Sequence, residues 1–237
     1  MSGHRIRAIL FDKDGTLLDF NATWLGFARD LALSAADGDM GRADLLLREG
    51  GYDEDENRFR SGSVFAAGTN AEVVKHFHPH LDGEPLRSLV AETDRKTAGV
   101  AERAVALPGA VDAVRALHAA GFAIGLATND STAGAKRTLE AFGVADLFVA
   151  ALGYDAVDNP KPAADPCILF AKRAGVTPKE VAVVGDNAHD LEMARAAGAG
   201  LSVGVLSGNG TRENLAPLAD VVLDSVGDLP AWLADRR

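Results

Sequence analysis

Cysteine is almost missing from this sequence, with Cys167 as the single thiol. One thiol makes no internal disulfide, so the fold must rest on burial and hydrogen bonding. The pattern suits a reducing compartment, the cytoplasm. Long apolar runs are missing too. Nothing approaches the roughly eighteen consecutive apolar residues of a membrane span, so a bilayer is not an expected partner. Met1 to Arg7 is short and polar, without the apolar centre or cleavage site of a signal peptide. Basic residues are outnumbered, 24 Lys and Arg against 34 Asp and Glu, for a net charge of −10. That balance leaves no basic footprint for nucleic acid. An anionic substrate would therefore need local positive charge, from a metal, a lysine or helix N-termini. No repeat at a fixed period is present.

What is present is a chain of 237 residues and 47% hydrophobic content, enough for one large domain or a core with a smaller insert. The apolar run Ile6, Ala8, Ile9, Leu10, Phe11 predicts a buried strand that ends at Asp12, and Gly15 predicts a sharp exit from it. Helical periodicity follows at 21–34, at 43–49, at 71–77 and from Pro85 to about Ala104. The polar stretch 53–63 reads as a helix start or a loop. No strand pattern occurs between 20 and 105, so an all-helical segment is expected there. From Leu107 onward strands alternate with helices. Strands are predicted at 122–127, 147–151, 181–184, 201–205 and 221–223. The helices between them close at Gly121, Gly143, Gly175 and Gly198. This alternation predicts right-handed βαβ units, and so an α/β, Rossmann-like, doubly wound parallel sheet. Residues 1–17 and 106–237 would share that sheet. Residues 18–105 would leave it and return as a helical insert.

Ligands of such sheets sit at the carboxyl ends of the strands, near the switch point. Polar clusters fall at such ends. Asp12 and Asp14 follow the first strand and project to the same side by strand alternation. Two carboxylates this close call for a cation or a shared proton. Thr128, Asn129 and Asp130 follow the strand at 122–127. Lys161 lies in Asn159-Pro160-Lys161-Pro162, just before a helix. Gly185-Asp186-Asn187-Ala188-His189-Asp190 follows the strand at 181–184. Asp12, Asp14 and Asp186 offer hard oxygen ligands suited to magnesium. Thr128, Lys161 and helix N-termini would suit a phosphoryl group. A carboxylate beside such a group can attack phosphorus, and a second can act as acid and base.

These residues resemble the haloacid dehalogenase superfamily. Asp12 to Leu17 match its Asp-x-Asp-Gly-Thr-Leu motif, Thr128 the residue after the second motif strand, Lys161 (with Pro162) the motif lysine, and Gly185 to Asp190 the Gly-Asp-x-x-x-Asp motif. The matches run in order from 12 to 190, and the insert resembles the family's α-helical cap. The resemblance implies a Mg2+-dependent phosphatase acting on a small soluble phosphate ester, either phosphoglycolate-like or a sugar phosphate, through an aspartyl-phosphate. It implies Asp12 as nucleophile and Asp14 as general acid/base. Thr128 and Lys161 would hold the phosphoryl oxygens, Lys161 would balance Asp12, and Asn129 would contribute its backbone N–H. Magnesium would be held by Asp12, the backbone carbonyl of Asp14, and Asp186. Asp190 would stand behind them, orienting water or Lys161. An Asp at position 14 favours phosphate chemistry over dehalogenation, and the phosphoglycolate-phosphatase-like group is the nearest. Lys13 departs from the family, whose capped members usually carry an apolar residue there, and Asn187 stands where Ser or Thr is frequent.

Other functions remain open on the sequence. A phosphomutase of the β-phosphoglucomutase kind would return the phosphoryl group to a sugar. A non-enzymatic member would keep the site only to bind a metabolite. His76, His78 and His80 have poor spacing for one helical face, with Pro79 between them, so a surface or hinge role is expected rather than a metal site. His189 is read as rim or structure, and Cys167 as a small core residue. Trp24, Phe27 and Phe20 are read first as cap packing, with pocket lining as the alternative. Arg58 and Arg60 are candidate substrate contacts only because something must meet an anion. The sequence assigns no oligomeric state.

Overall fold

The computed structural model describes residues 5–236. The chain opens with strand β1 (Ala8–Phe11), then runs through helices α1 (Phe20–Ala35) and α2 (Met40–Glu49). A two-strand hairpin, β2 (Tyr52–Asp53) and β3 (Arg58–Phe59), comes next. After it lie α3 (Val64–Ala67), α4 (Asn70–Phe77), α5 (Gly83–Ala101) and α6 (Ala110–Ala119). The remainder alternates: β4 (Ala123–Ala127), α7 (Thr132–Ala141), β5 (Phe148–Leu152), α8 (Asp165–Ala174), β6 (Val181–Gly185), α9 (Ala188–Ala197), β7 (Leu201–Val205), α10 (Arg212–Leu215), β8 (Val221–Leu223) and α11 (Leu229–Ala234).

One six-stranded sheet has the order β5-β4-β1-β6-β7-β8, and every pairing in it is parallel. The α/β doubly wound architecture is therefore the one expected. β1 is buried along its whole length. A central parallel strand is covered on both faces, which is why it reads as an unbroken apolar run. Alternate residues serve the two layers. Ile9 and Phe11 pack with Val114, Leu117, Leu126 and Leu139. Ala8 and Leu10 pack on the other side with Phe170, Val181 and Met193.

The segment between β1 and β4 adds no strand to this sheet. It has its own apolar cluster, including Leu18, Phe20, Trp24, Leu31, Leu47, Tyr52, Phe59 and Phe77. The expectation that it is all-helical is corrected by the β2–β3 hairpin, in which Tyr52 pairs with Phe59 and Asp53 with Arg58. Two residues a side are too few for an alternation signal. Asn57 closes the turn at a φ of 51°, a left-handed conformation that Asn tolerates. The stretch 53–63 is thus neither a helix start nor a plain loop. The short helices α3, α10 and α11 also go unannounced in the sequence, being too short for helical periodicity to show.

Helix starts follow local chemistry. Asp19 accepts from the Ala22 N–H to cap α1, and Thr69 and Glu72 form a reciprocal capping box on α4. Gly175 and Gly198 close α8 and α9 in the left-handed conformation.

Candidate active site

β1 lies between β4 and β6, so the segments that follow these three strands emerge side by side. Asp12 and Asp14 come from the first, Thr128, Asn129 and Asp130 from the second, and Asp186, Asn187 and Asp190 from the third. Lys161 arrives from the loop between β5 and α8. All of them line one pocket, whose other wall is made by α1, α3, α4 and α5. The residues singled out in the sequence are therefore brought together.

The Lys161 ammonium donates to Asp12 Oδ1 at 2.5 Å and to Asp190 Oδ1 at 2.7 Å, and all three side chains are buried. The other oxygen of Asp190 accepts from the Asn187 N–H at 3.0 Å, inside a capping box on α9. Asp190 is thus spent on holding Lys161 and the turn of the loop. Asp186 accepts from the Asn209 N–H at 2.7 Å and is packed against the backbone of Gly15 and Gly208. Gly15 has φ +79°, and a Cβ there would lie 2.5 Å from Asp186 Oδ2. A side chain at 15 would be both strained and blocked.

Burial lifts the Asp12 carboxyl to about 6, against the pull of Lys161 and with a push from Asp190. Burial also carries Asp186 well above the usual carboxylate range, with Asp12 and Asp190 adding to the rise. The Lys161 pKa is raised as well, which for an ammonium favours the charged form. Burial works against its charge, but Asp12 and Asp190 hold it protonated above its ordinary value. Asp12, Asp186 and Asp190 have oxygens within 4.8 Å of one another, and one ammonium serves Asp12 and Asp190. That excess of buried negative charge, carried by hard oxygen donors, fits a divalent cation such as magnesium. Buried polar atoms without a hydrogen-bond partner line the same pocket: Asn129 Oδ1, Asn187 Nδ2 and His189 Nδ1. They suit the water or oxygen ligands that accompany a hydrated metal and a phosphoryl group.

Asp14 has different company. Trp24 Nε1 donates to its Oδ1, and Lys13 Nζ lies 3.3 Å and Thr128 Oγ1 3.4 Å from its Oδ2. Burial raises its carboxyl above the usual range, opposed by Lys13. Lys13, the residue that the motif leaves unexplained, is wholly buried. Its ammonium pairs with Asp130 at 2.5 Å and lies 4.8 Å from the centre of the Trp24 ring. Burial alone would lower its pKa, but Asp130 and Asp14 raise it, so it stays charged.

Several site residues were not legible beforehand. Asn70 on α4 donates to Asp94 of α5 at 2.8 Å and to Asp130 at 3.3 Å, and Tyr154 after β5 donates to the other oxygen of Asp94 at 2.8 Å. Asn129 is legible in the sequence but its side-chain contacts are not: it donates to the Ala67 carbonyl at 2.8 Å and the Lys161 carbonyl at 3.1 Å. The loop Ser207–Gly210 reaches back, with Ser207 Oγ donating to the Gly15 carbonyl at 2.8 Å. Its Ser-Gly-Asn-Gly composition at a strand end was the available signal. Trp24, Phe27 and Phe20 serve both proposed uses, packing in the insert's cluster and lining the pocket. Arg58 and Arg60 take no part in the pocket. Arg58 pairs with Glu56 at 2.5 Å on the surface, and Arg60 reaches the Arg48 carbonyl and Asp53. His78 and His80 meet edge to face with ring centres 6.1 Å apart and lie outside the pocket lining, while His189 lines it.

Comparison with known proteins gives the same family. A sequence model of haloacid dehalogenase-like hydrolases matches residues 6–198. A phosphoglycolate phosphatase from Salmonella paratyphi A is 35% identical over 232 residues, covering 94% of this chain and 91% of its own length. In structure, the chain is similar to a predicted phosphoglycolate phosphatase from Haemophilus somnus, with a TM-score of 0.71 and 22% identity, covering 97% of this chain and 98% of that one. It is also similar to CbbY from Rhodobacter sphaeroides in complex with phosphate, with a TM-score of 0.68 and 23% identity over 94% of this chain and 96% of that one.

Proposed function

The chain belongs to the haloacid dehalogenase-like hydrolases and is a phosphatase, and from that premise we propose that it hydrolyses a small phosphate monoester through an aspartyl-phosphate on Asp12. The observation that carries this reading is the Asp12–Lys161–Asp190 chain of ion pairs beside the separately held Asp14. Each carboxylate has its own ammonium, Lys161 for Asp12 and Lys13 for Asp14, and burial raises both carboxyls. Phosphoglycolate, named in the relatives, and sugar phosphates are the first esters to consider.

In the first half-reaction an Asp12 oxygen attacks phosphorus and the bond to the leaving alcohol breaks. Asp14 donates its proton to that alcohol oxygen, which its burial-raised pKa favours. In the second half-reaction Asp14 takes a proton from water as the water oxygen attacks phosphorus. The acyl-phosphate bond then breaks, inorganic phosphate leaves, and Asp12 is regenerated. Thr128, the Asn129 N–H and Lys161 hold the phosphoryl oxygens. Asp190 keeps Lys161 pointed at Asp12. Magnesium, held by Asp12, the backbone carbonyl of Asp14 and Asp186, would supply positive charge against the phosphoryl oxygens. Residues 1–17 and 106–237 serve as the catalytic core and 18–105 as a helical cap that excludes water. No helix among the described residues is long and apolar enough to cross a membrane, and a cytoplasmic setting is part of this reading.

Phosphate release from a panel of esters, with magnesium present, tests the proposal. Asp12→Asn is expected to fold and to lose turnover by at least ~10⁴-fold, the scale seen when a covalent nucleophile is removed. Chelation is expected to stop the reaction, and calcium to fail as a substitute because it tolerates looser geometry. Retained turnover in Asp12→Asn would overturn the nucleophile assignment.

A further inference from the structure

The core reads only the phosphoryl group, so the leaving alcohol is chosen by the opposite wall of the pocket. That wall is aromatic and aliphatic: Phe20, Trp24 and Phe27 from α1, Phe65 from α3, and Val73 from α4. Several of its polar donors are already committed. The Thr93 hydroxyl donates to the Leu89 carbonyl at 2.9 Å, and that of Thr97 to the Asp94 carbonyl at 3.1 Å. The Asn70 amide nitrogen is shared among Asp94, Thr97 and Asp130. The Trp24 N–H is held by Asp14, which leaves the indole ring as the surface beside the acid.

Charge points the same way. Among the described residues, the pocket is lined by five carboxylates, Asp12, Asp14, Asp130, Asp186 and Asp190, and by no arginine. Its lysine, Lys161, is held by two of these carboxylates. No arginine or lysine of the insert lines the pocket among the described residues, and Arg29, Arg58 and Lys75 are held by Tyr52, by Glu56, and by Asp82 with the Leu81 carbonyl. A carboxylate on the leaving group would lose its water against aromatic rings and gain no counter-charge. The hydroxyls of a sugar laid against these rings would lose water without gaining partners from them.

From this we infer that the preferred substrate is the phosphate ester of an uncharged alcohol with an apolar or aromatic body, and that phosphoglycolate and sugar phosphates are poor substrates. The inference rests on the phosphatase reading above, keeps its chemistry, and replaces the esters considered first there with a different class of leaving group. The aromatic wall binds the body of such an alcohol by burial and ring contact. Its oxygen then lies beside Asp14, the group proposed to protonate it.

Three primary-alcohol esters separate the possibilities, because their leaving groups are chemically alike at the reacting bond: benzyl phosphate, glycerol 3-phosphate and 2-phosphoglycolate. With magnesium and the full chain, kcat/KM is expected to be highest for benzyl phosphate, exceeding that for 2-phosphoglycolate by roughly 100-fold. Phe27→Arg places a cation on the wall and is expected to narrow that ratio by roughly tenfold, mainly by improving 2-phosphoglycolate. Equal or faster turnover of 2-phosphoglycolate by the unaltered protein overturns the inference while leaving the phosphatase reading intact. The ratio in the unaltered protein decides the matter even if Phe27→Arg folds poorly. Release from none of a wide panel of esters, with the unaltered protein no better than Asp12→Asn, overturns both.

Discussion

Lys13 is the residue at which motif and structure part company. A position that is usually apolar here carries a fully buried ammonium, paired with Asp130 at 2.5 Å and with Asp14 at 3.3 Å. A buried ion pair adds little net stability over well-packed apolar groups, but removing one partner leaves a buried charge without compensation. Lys13→Met is therefore expected to lower unfolding free energy in urea by about 3–5 kcal/mol. The double variant Lys13→Met with Asp130→Asn should recover part of that loss, because Asp130 is no longer an orphan carboxylate while Asp14 still lacks its ammonium. An unchanged urea midpoint for Lys13→Met would show that the pair is not coupled to folding. The motif predicts none of this, because Asp130 lies far along the chain and only the β1–β4 pairing brings it within reach.

At the scale of elements, the insert is fastened to the sheet by a short polar chain. Tyr154, which follows β5, donates to Asp94 on α5, Asp94 accepts from Asn70 on α4, and Asn70 reaches Asp130 after β4. Asn129 adds a bond to the Ala67 carbonyl at the end of α3. These contacts lie beside the pocket over which the insert is proposed to close. Hydrogen bonds to a charged acceptor contribute about 1.5–3 kcal/mol. Tyr154→Phe is accordingly expected to cut kcat/KM by roughly tenfold, chiefly through KM, since the closed arrangement loses a fastening while the reacting groups stay in place. The check is steady-state kinetics on the best ester found, and an unaltered KM would remove Tyr154 from this role. The local signals of helix and turn were readable element by element, but this fastening was not. It joins residues 60 positions apart through side chains with no motif of their own.

The whole molecule has apolar clusters on both faces of the sheet and a further one confined to the insert. Phe59 is wholly buried in the latter and touches Phe20, Tyr52 and Phe65 with ring centres 5.7, 5.3 and 4.8 Å away. Phe59→Ala should cost about 3–5 kcal/mol where it acts. If the insert is the separate cooperative unit proposed, hydrogen exchange in that variant speeds up across α1 to α4 while β1, β4 and β6 keep their protection. Uniform loss across the sheet would mean that the chain unfolds as one body, and the division at 18–105 would be abandoned.

Local order and motif chemistry were legible from the sequence alone. The alternation of apolar runs with glycine-closed helices determined the parallel α/β core, because each such unit needs a crossover and both faces of the sheet must be covered. The placing of Asp12, Asp14, Thr128 and Asp186 at strand ends, with Lys161 in a loop before a helix, was equally readable, since a parallel sheet gathers those ends on one side. Tertiary structure decided what no periodicity records. It set the direction in which Lys13 points, the commitment of Asp190 to Lys161, and the return of the Ser207–Gly210 loop to Gly15. It also decided that the wall facing Asp12 is aromatic and carries neither Arg58 nor Arg60. Strand order and side-chain packing create these neighbours across distant parts of the chain, so they exist only once the sheet is assembled.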